Sequence, residues 1–286
     1  MLYDAHCHPT DAPDSLVNVA NMDAILCAMA TNFDDFAVVQ KIAETYPNIV
    51  PAFGLHPWFT HLVSFTASKL DHYTNVFGNV PDIDSLPDPI PFANHLARIE
   101  QALIANPNAM VGEIGLDKAF RVRLNGALSN YKTSIDHQIR VFTAQLELAM
   151  KYNRAASVHG VQCHSPLLDA CTSVLSHHPA TTARICLHSY SGTPEMAAQR
   201  WIKMPIPIYF SFALLINAKN KQKASRVIES LPINRVLSES DYHEAGDYMM
   251  ELLEQSTRLL EDTGVSRDQL RENFADFVGR QRLVDS

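Results

Sequence analysis

Eight short runs of apolar, β-prone residues recur along the chain, with longer amphipathic stretches between them. They are Leu2–His6, Ala24–Ala30, Ile49–His56, Ala109–Gly115, Ala155–Gly160, Arg184–Ser189, Pro207–Phe212 and Arg235–Ser240. Such near-continuous runs suit strands buried on both faces of a parallel sheet. Tyr131–Asn153 is the clearest helical stretch between them, with Ile135, Ile139, Phe142, Leu146 and Ala149 three and four residues apart. Phe33–Tyr46, Phe92–Ala105 and Ala218–Leu231 are shorter versions, and residues 246–281 read as two helices with a turn at "EDTGVS". Eight alternations in 286 residues predict one (β/α)₈ TIM barrel, a fold of typically ~250 residues. A doubly wound open sheet is its structural rival.

The expected organisation is one hydrolase-type barrel domain over residues 1–286. Two additions interrupt the regular plan. Residues 61–91 form a Pro- and Asp-rich excursion above the third strand, including "GNVPDIDSLPDPIP". It is longer than an ordinary connection, which makes it a candidate lid or partner loop. An extra C-terminal helix is expected at about 266–281.

A net charge of −8 argues against a protein that coats nucleic acid by bulk electrostatics, while leaving room for a local basic rim. Five cysteines, an odd number without CxxC spacing, do not form a disulfide framework. The start, "MLYD", lacks a basic segment followed by an apolar one. No apolar run approaches the ~20 residues of a membrane helix. These features predict a cytoplasmic protein, with a nuclear pool compatible, and no membrane partner.

The chemistry-bearing residues gather at the predicted strand ends. "DAHCHP" places Asp4, His6 and His8 on alternate positions, hence on one face of a strand. Asp4 is expected to orient a ligating imidazole. The third run ends with His56, the fourth carries Glu113 and Asp117, the fifth His159, the sixth His188, and the eighth Glu239 and Asp241. Polar residues collect wherever strands become loops, but that bias scatters Ser, Asn and Lys as readily as His. Five of the thirteen histidines lie at strand ends where barrel active sites assemble, and that fits a metal site better.

A mixed His/carboxylate set suits Zn²⁺, Mn²⁺ or Mg²⁺. It exceeds what one ion needs, so two divalent ions sharing a carboxylate are expected. Glu113 is the expected bridge, because it lies between the two groups of histidines in barrel order. His6, His8 and Asp241 neighbour one another across the closure; His159 and His188 sit on strands five and six. His56 is assigned to substrate contact. Glu239 shares strand parity with Asp241, so it faces either the same pocket or a barrel arginine. In "LDKAFRVR", Lys118, Arg121 and Arg123 are the local candidates for gripping a phosphate. Cys7 is expected in core packing. Cys163 and His164, adjacent in sequence, do not face each other as nucleophile and base.

Taken in order, HxH, "GLHP", "GEIGLD", a helix ending "FTAQLELA", "VH", "HSYSG" and "ESD" resemble the TatD family of metal-dependent deoxyribonucleases, from Tyr3 to about Asp241. The resemblance implies an amidohydrolase-like barrel and a dinuclear centre held by His6, His8, Glu113, His159, His188 and Asp241. It also implies hydrolysis of DNA phosphodiesters, with Asp241 handling the proton of the attacking water. Val161 and Gln162 follow His159 where the family commonly has an arginine after one residue. Lys118 stands where an aromatic is common, and Ser240 replaces a threonine. These departures mark a divergent branch of eukaryotic or fungal kind. Two rival functions accompany this one: hydrolysis of a small amide, ester or phosphate, and a low-turnover interaction protein that binds a partner through residues 61–91.

Overall fold

The computed structural model describes residues 1–80, 82–124 and 126–279. Each of the eight apolar runs becomes a strand: β1 (Leu2–Cys7), β2 (Ala24–Met29), β3 (Ile49–Phe53), β4 (Met110–Asp117), β5 (Ala155–Val161), β6 (Arg184–Leu187), β7 (Ile208–Ala213) and β8 (Val236–Glu239). They hydrogen-bond in chain order as one parallel sheet. At the seam, β8 lies against β1. Asp241 N donates to His6 O (3.0 Å) and Ser238 Oγ to Tyr3 O (2.8 Å). The molecule is therefore the (β/α)₈ barrel and not the open sheet.

Two apolar layers hold it. Inside the barrel, Ala5, Ile25, Cys27, Met29, Val50, Met110 and Leu237 pack together. Phe274 and Phe277 of the C-terminal helix Arg267–Val278 join this layer, with Phe274 5.2 Å from the Tyr3 ring and Phe277 5.3 Å from Tyr209. That helix starts at Ser266, whose hydroxyl accepts from Gln269 N, and stops at Gly279 in the left-handed conformation glycine tolerates. Positions 280 and 281, where the sequence pattern extended it, lie outside the described residues. Outside the barrel, Phe142 and Leu146 of the helix Ile135–Lys151 pack with Ile114, Leu116 and Val158.

Four α-helices among the described residues were not predicted, two of them the short Pro194–Gln199 and Leu214–Asn217. Of the other two, Lys69–Phe77 falls within the irregular excursion, and His164–Ser176 carries a proline at its third position, which is compatible with a first turn. The excursion is closed on itself, and it meets the barrel's helical layer where Val63 packs with Val141 and Ser134 N donates to Val76 O at 2.9 Å. Val63–Ser64 pairs with Ile90–Pro91, His72 Nε2 lies 2.8 Å from His61 O, and Tyr73 donates to Pro87 O at 2.8 Å.

The helix Ile135–Lys151 also positions the top of the barrel. The Gln145 amide exchanges hydrogen bonds with both backbone groups of Leu55 (2.7 and 3.3 Å). The Gln138 amide does the same for Asp117 (2.8 and 3.0 Å). Two buried amides thus fix the chain beside His56 and at Asp117. Neither glutamine was singled out from the sequence, because a buried Gln on a helix reads like any solvated one. At the opposite contact, Gly115 (φ +149°) is required: a Cβ there would sit 2.1 Å from His159 O.

Candidate metal centre

The side chains expected as ligands converge at the C-terminal mouth. Glu113 is buried at their centre, and its two oxygens divide the histidines. Oε2 lies 3.2 Å from His6 Nε2 and 3.3 Å from His8 Nε2. Oε1 lies 2.7 Å from His188 Nε2, 2.8 Å from His159 Nδ1 and 3.1 Å from His56 Nε2. Asp241 Oδ1 is 3.6 Å from His8 and 3.9 Å from His6, on the Oε2 side. The ligand atoms of His6, His8 and Glu113, of His6, His188 and Asp241, and of His56, Glu113 and His159 each fall within 4.8 Å of one another.

This donor set fits divalent cations. His6 Nε2 and His8 Nε2 face each other at 3.0 Å, and His159 Nδ1 and His188 Nε2 at 3.1 Å. Facing nitrogens this close need a proton or a cation between them. Burial pushes His6 down to about 3 and His56 down to about 4, which favours their neutral form. At His8, His159 and His188 burial is outweighed by the carboxylates of Glu113, Asp117 and Asp241, which push those rings up, so a cation binding there would displace protons from all three. Burial alone would raise Glu113, but the imidazoles around it hold the carboxylate well below its usual range. For Asp117, hydrogen bonds from His159 and Trp58 outweigh burial and hold the carboxyl at about 2.

Local backbone features aim these groups. The β1–β2 ladder is irregular between Asp4 and Cys7, so strict alternation does not hold there. The Asp4 carboxylate consequently does not orient an imidazole. It accepts from the backbone N of His6 (3.1 Å) and Ser240 (3.0 Å) and from Ser240 Oγ (2.5 Å), spanning the seam. The ring of His6 is held instead by Ser157, whose Oγ is 2.7 Å from Nδ1. Ser157 was missed, since nothing in "AASVHG" distinguishes its serine from a packed small residue. Cys7 is buried in the outer layer with Val19 and Leu26, as expected.

Ser189 (φ +43°) and Asp241 (φ +50°) adopt left-handed backbone just beyond β6 and β8. Glu239 explains the first: its Oε1 accepts from Ser189 N and Oγ, both at 2.7 Å. Ser189 Oγ also lies 3.1 Å from Asp241 Oδ2, so its one proton is shared between the two carboxylates. Glu239 therefore supports the site from beneath and pairs with no arginine among the described residues. Asp241's aim comes from its turned backbone rather than from strand parity.

The centre opens into a cavity of about 620 Å³, lined among others by His8, His56, Trp58, Phe59, Asp241 and His243. Among the described residues its lining contains no lysine or arginine, and no residue of 61–91. Lys118, Arg121 and Arg123 are exposed in the loop beyond β4, where Arg123 Nη1 donates to Gly126 O at 3.3 Å. The other expected substrate contact, His56, is placed at ligand distance from Glu113.

Residues 3–261 match the family model described as TatD related DNase. The chain belongs to the TatD-related DNase family. The Cut9-interacting protein scn1 of Schizosaccharomyces pombe is 34% identical over 310 residues, covering 91% of this chain and 92% of that protein. An uncharacterized deoxyribonuclease of Saccharomyces cerevisiae is 33% identical, covering 84% and 83%. Among solved structures, the TatD homologue YjjV of Escherichia coli superposes with a TM-score of 0.62 at 22% identity, covering 99% of this chain and 97% of that one. Against the TatD pattern, the serine at position 240 keeps the hydroxyl that bonds Asp4 across the seam.

Proposed function

We propose that this TatD-family chain is a hydrolase that cleaves DNA phosphodiester bonds with two divalent cations, Zn²⁺, Mn²⁺ or Mg²⁺, bridged by Glu113. The observation that carries this is the division of five imidazoles between the two oxygens of one buried carboxylate. His6, His8 and Asp241 would hold one cation. His159 and His188 would hold the other, with His56 beside them. Cations bound there supply Lewis acidity toward a phosphoryl oxygen and acidify water. The chain's own residues do the rest. Asp241, at the rim and ionised, is placed to take up the proton of the attacking water. Ser189 and Glu239 hold that carboxylate in position. Ser157 fixes the His6 ring, and the 620 Å³ cavity gives the substrate room to reach the reacting group.

Residues 1–286 act as one domain in this proposal, in a reducing compartment, the cytoplasm or the nucleus. The five cysteines are all buried and none is in a disulfide, which supports that compartment, and no helix among the described residues is long and apolar enough to cross a membrane. A relative bears the name Cut9-interacting protein. A protein partner on residues 61–91, which present exposed Leu70 and Ile90, is accordingly proposed alongside the activity.

Purified protein incubated with single-stranded DNA and Mg²⁺ or Mn²⁺ should release nucleotides, and EDTA should stop release. Hydrolysis confined to a panel of small esters or amides would replace DNA as the substrate. Absence of turnover on both would leave only the interaction role.

A further inference from the structure

Trp58 is one of two tryptophans and is 41% exposed, although it is a large aromatic at the mouth of a buried site. Its ring is not loose. The indole Nε1 donates to Asp117 Oδ2 at 2.7 Å, and Trp58 N donates to His56 Nδ1 at 3.2 Å. The Phe120 ring stacks on it, with centroids 4.9 Å apart and planes 12° from parallel. Asp117 sets that second ring too, since its Oδ1 accepts from Ala119 N and Phe120 N at 2.7 and 2.9 Å. One buried carboxylate thus braces both members of the stack. Trp58 lines the cavity and Phe120 does not, so Phe120 backs the indole and the remaining indole surface borders the cavity.

The same Asp117 Oδ2 is 3.3 Å from His159 Nε2, so the platform stands one carboxylate away from the cluster around Glu113. The Trp58 and His159 ring centroids are 6.5 Å apart. An exposed ring of fixed orientation loses little entropy on binding a flat partner. Every nucleobase offers such a partner, so stacking tolerates any sequence.

We propose that Trp58, backed by Phe120, is the stacking platform for the nucleobase next to the phosphate held at the metal centre. This rests on the phosphodiesterase function above. It makes the presence of a base, rather than its identity, the feature read at this position. Binding at this position comes mainly from the ring and not from basic side chains, in keeping with a cavity lining that contains no lysine or arginine among the described residues.

The test uses the full chain, pentathymidylate, and the same strand with abasic residues. Trp201 is fully buried, so a change in indole emission on binding reports Trp58. In EDTA, pentathymidylate should quench that emission and the abasic strand should not. With Mg²⁺, Trp58→Ala should raise KM for pentathymidylate about tenfold or more, the scale of one base stack. The same substitution should carry no such KM penalty on the abasic strand. Trp58→Phe keeps a ring but loses the bond to Asp117, so it should recover most of KM, and any disturbance of Asp117 will appear in kcat. Unchanged thermal midpoints check the fold of each variant. Equal KM values for both strands on the native chain, or for Trp58→Ala and the native chain on pentathymidylate, overturn the platform alone. A native chain that neither binds nor cleaves either strand overturns the phosphodiesterase function and the platform with it.

Discussion

Glu113 concentrates the consequences of a single residue. It is buried and has five imidazole nitrogens within 3.3 Å. Glu113→Gln keeps the shape and removes the charge that the two proposed cations would share. Turnover is expected to fall about 10³-fold or more, as when a charge-stabilising group leaves an enclosed site. Elemental analysis should drop from two metals per chain, while circular dichroism stays native. A variant that keeps two metals and normal turnover would remove Glu113 from the bridging role. Ser157 acts at one remove, through the 2.7 Å bond to the His6 ring. Partners of ligating histidines are typically worth about 10–100-fold in metal affinity or activity. Ser157→Ala should lose that much at low metal and recover it at saturating metal. A loss unaffected by metal concentration would mean that Ser157 serves packing only.

At the scale of elements, the helices Lys69–Phe77, Phe92–Ala105 and Ile135–Lys151 carry histidines buried away from the site. His95 packs edge-on against Phe33 (4.6 Å) and Phe36 (5.5 Å), and its ring nitrogens have no hydrogen-bond partner among the described residues. Burial pushes His95 down to about 3, and His61 and His137 down to about 4. Each binds its proton less tightly folded than unfolded, so the unfolded chain takes up protons first as pH falls below about 6.5. Stability contributed by the neutral rings is complete above about 6.5 and is lost as pH falls through 6.5 toward 4. His95→Leu removes one such group and an unpaired polar ring, and should stabilise the fold by about 1 kcal/mol at pH 7. The gain should widen at pH 5. Urea midpoints for both proteins at pH 7 and 5 test this. A midpoint lowered at both values would show that the imidazole makes a favourable contact.

At the scale of the whole molecule, the chain is acidic and its proposed substrate is a polyanion. Lys118, Arg121 and Arg123 project from the loop after β4, outside the cavity lining. If they guide the strand, Arg121→Ala and Arg123→Ala should raise KM for DNA at low salt with little change in kcat. The effect should shrink as salt approaches physiological strength, where exposed charges more than ~8 Å apart are screened. Unchanged KM at low salt would leave recognition to the cavity alone. Metal removal acts on the fold as well as on turnover. Each site bound only in the folded state adds roughly 3–4 kcal/mol at 100–1,000 times its dissociation constant. EDTA should therefore lower the thermal midpoint, and titrated Mn²⁺ should restore it with a break at two equivalents. A break at one equivalent would make the centre mononuclear.

Much of this was legible along the chain because parallel strands bury both faces, leaving apolar runs that local composition reveals. The residue types of the cluster were legible too, since strand ends place His, Glu and Asp at one mouth. Local sequence does not record which long-range partner a side chain meets. Ring closure brings residues 2–8 against 236–241, and only that turns Asp4 onto Ser240 and leaves His6 to Ser157. The irregular β1 ladder and the left-handed Asp241 override strand parity for the same reason. His56 joins the cluster because Gln145 anchors the chain beside it, 90 residues away in sequence. The sequence determined the barrel and the chemistry at its mouth. Tertiary structure decided how Glu113 divides the histidines and which ring Phe120 supports, because those distances exist only once the barrel is closed.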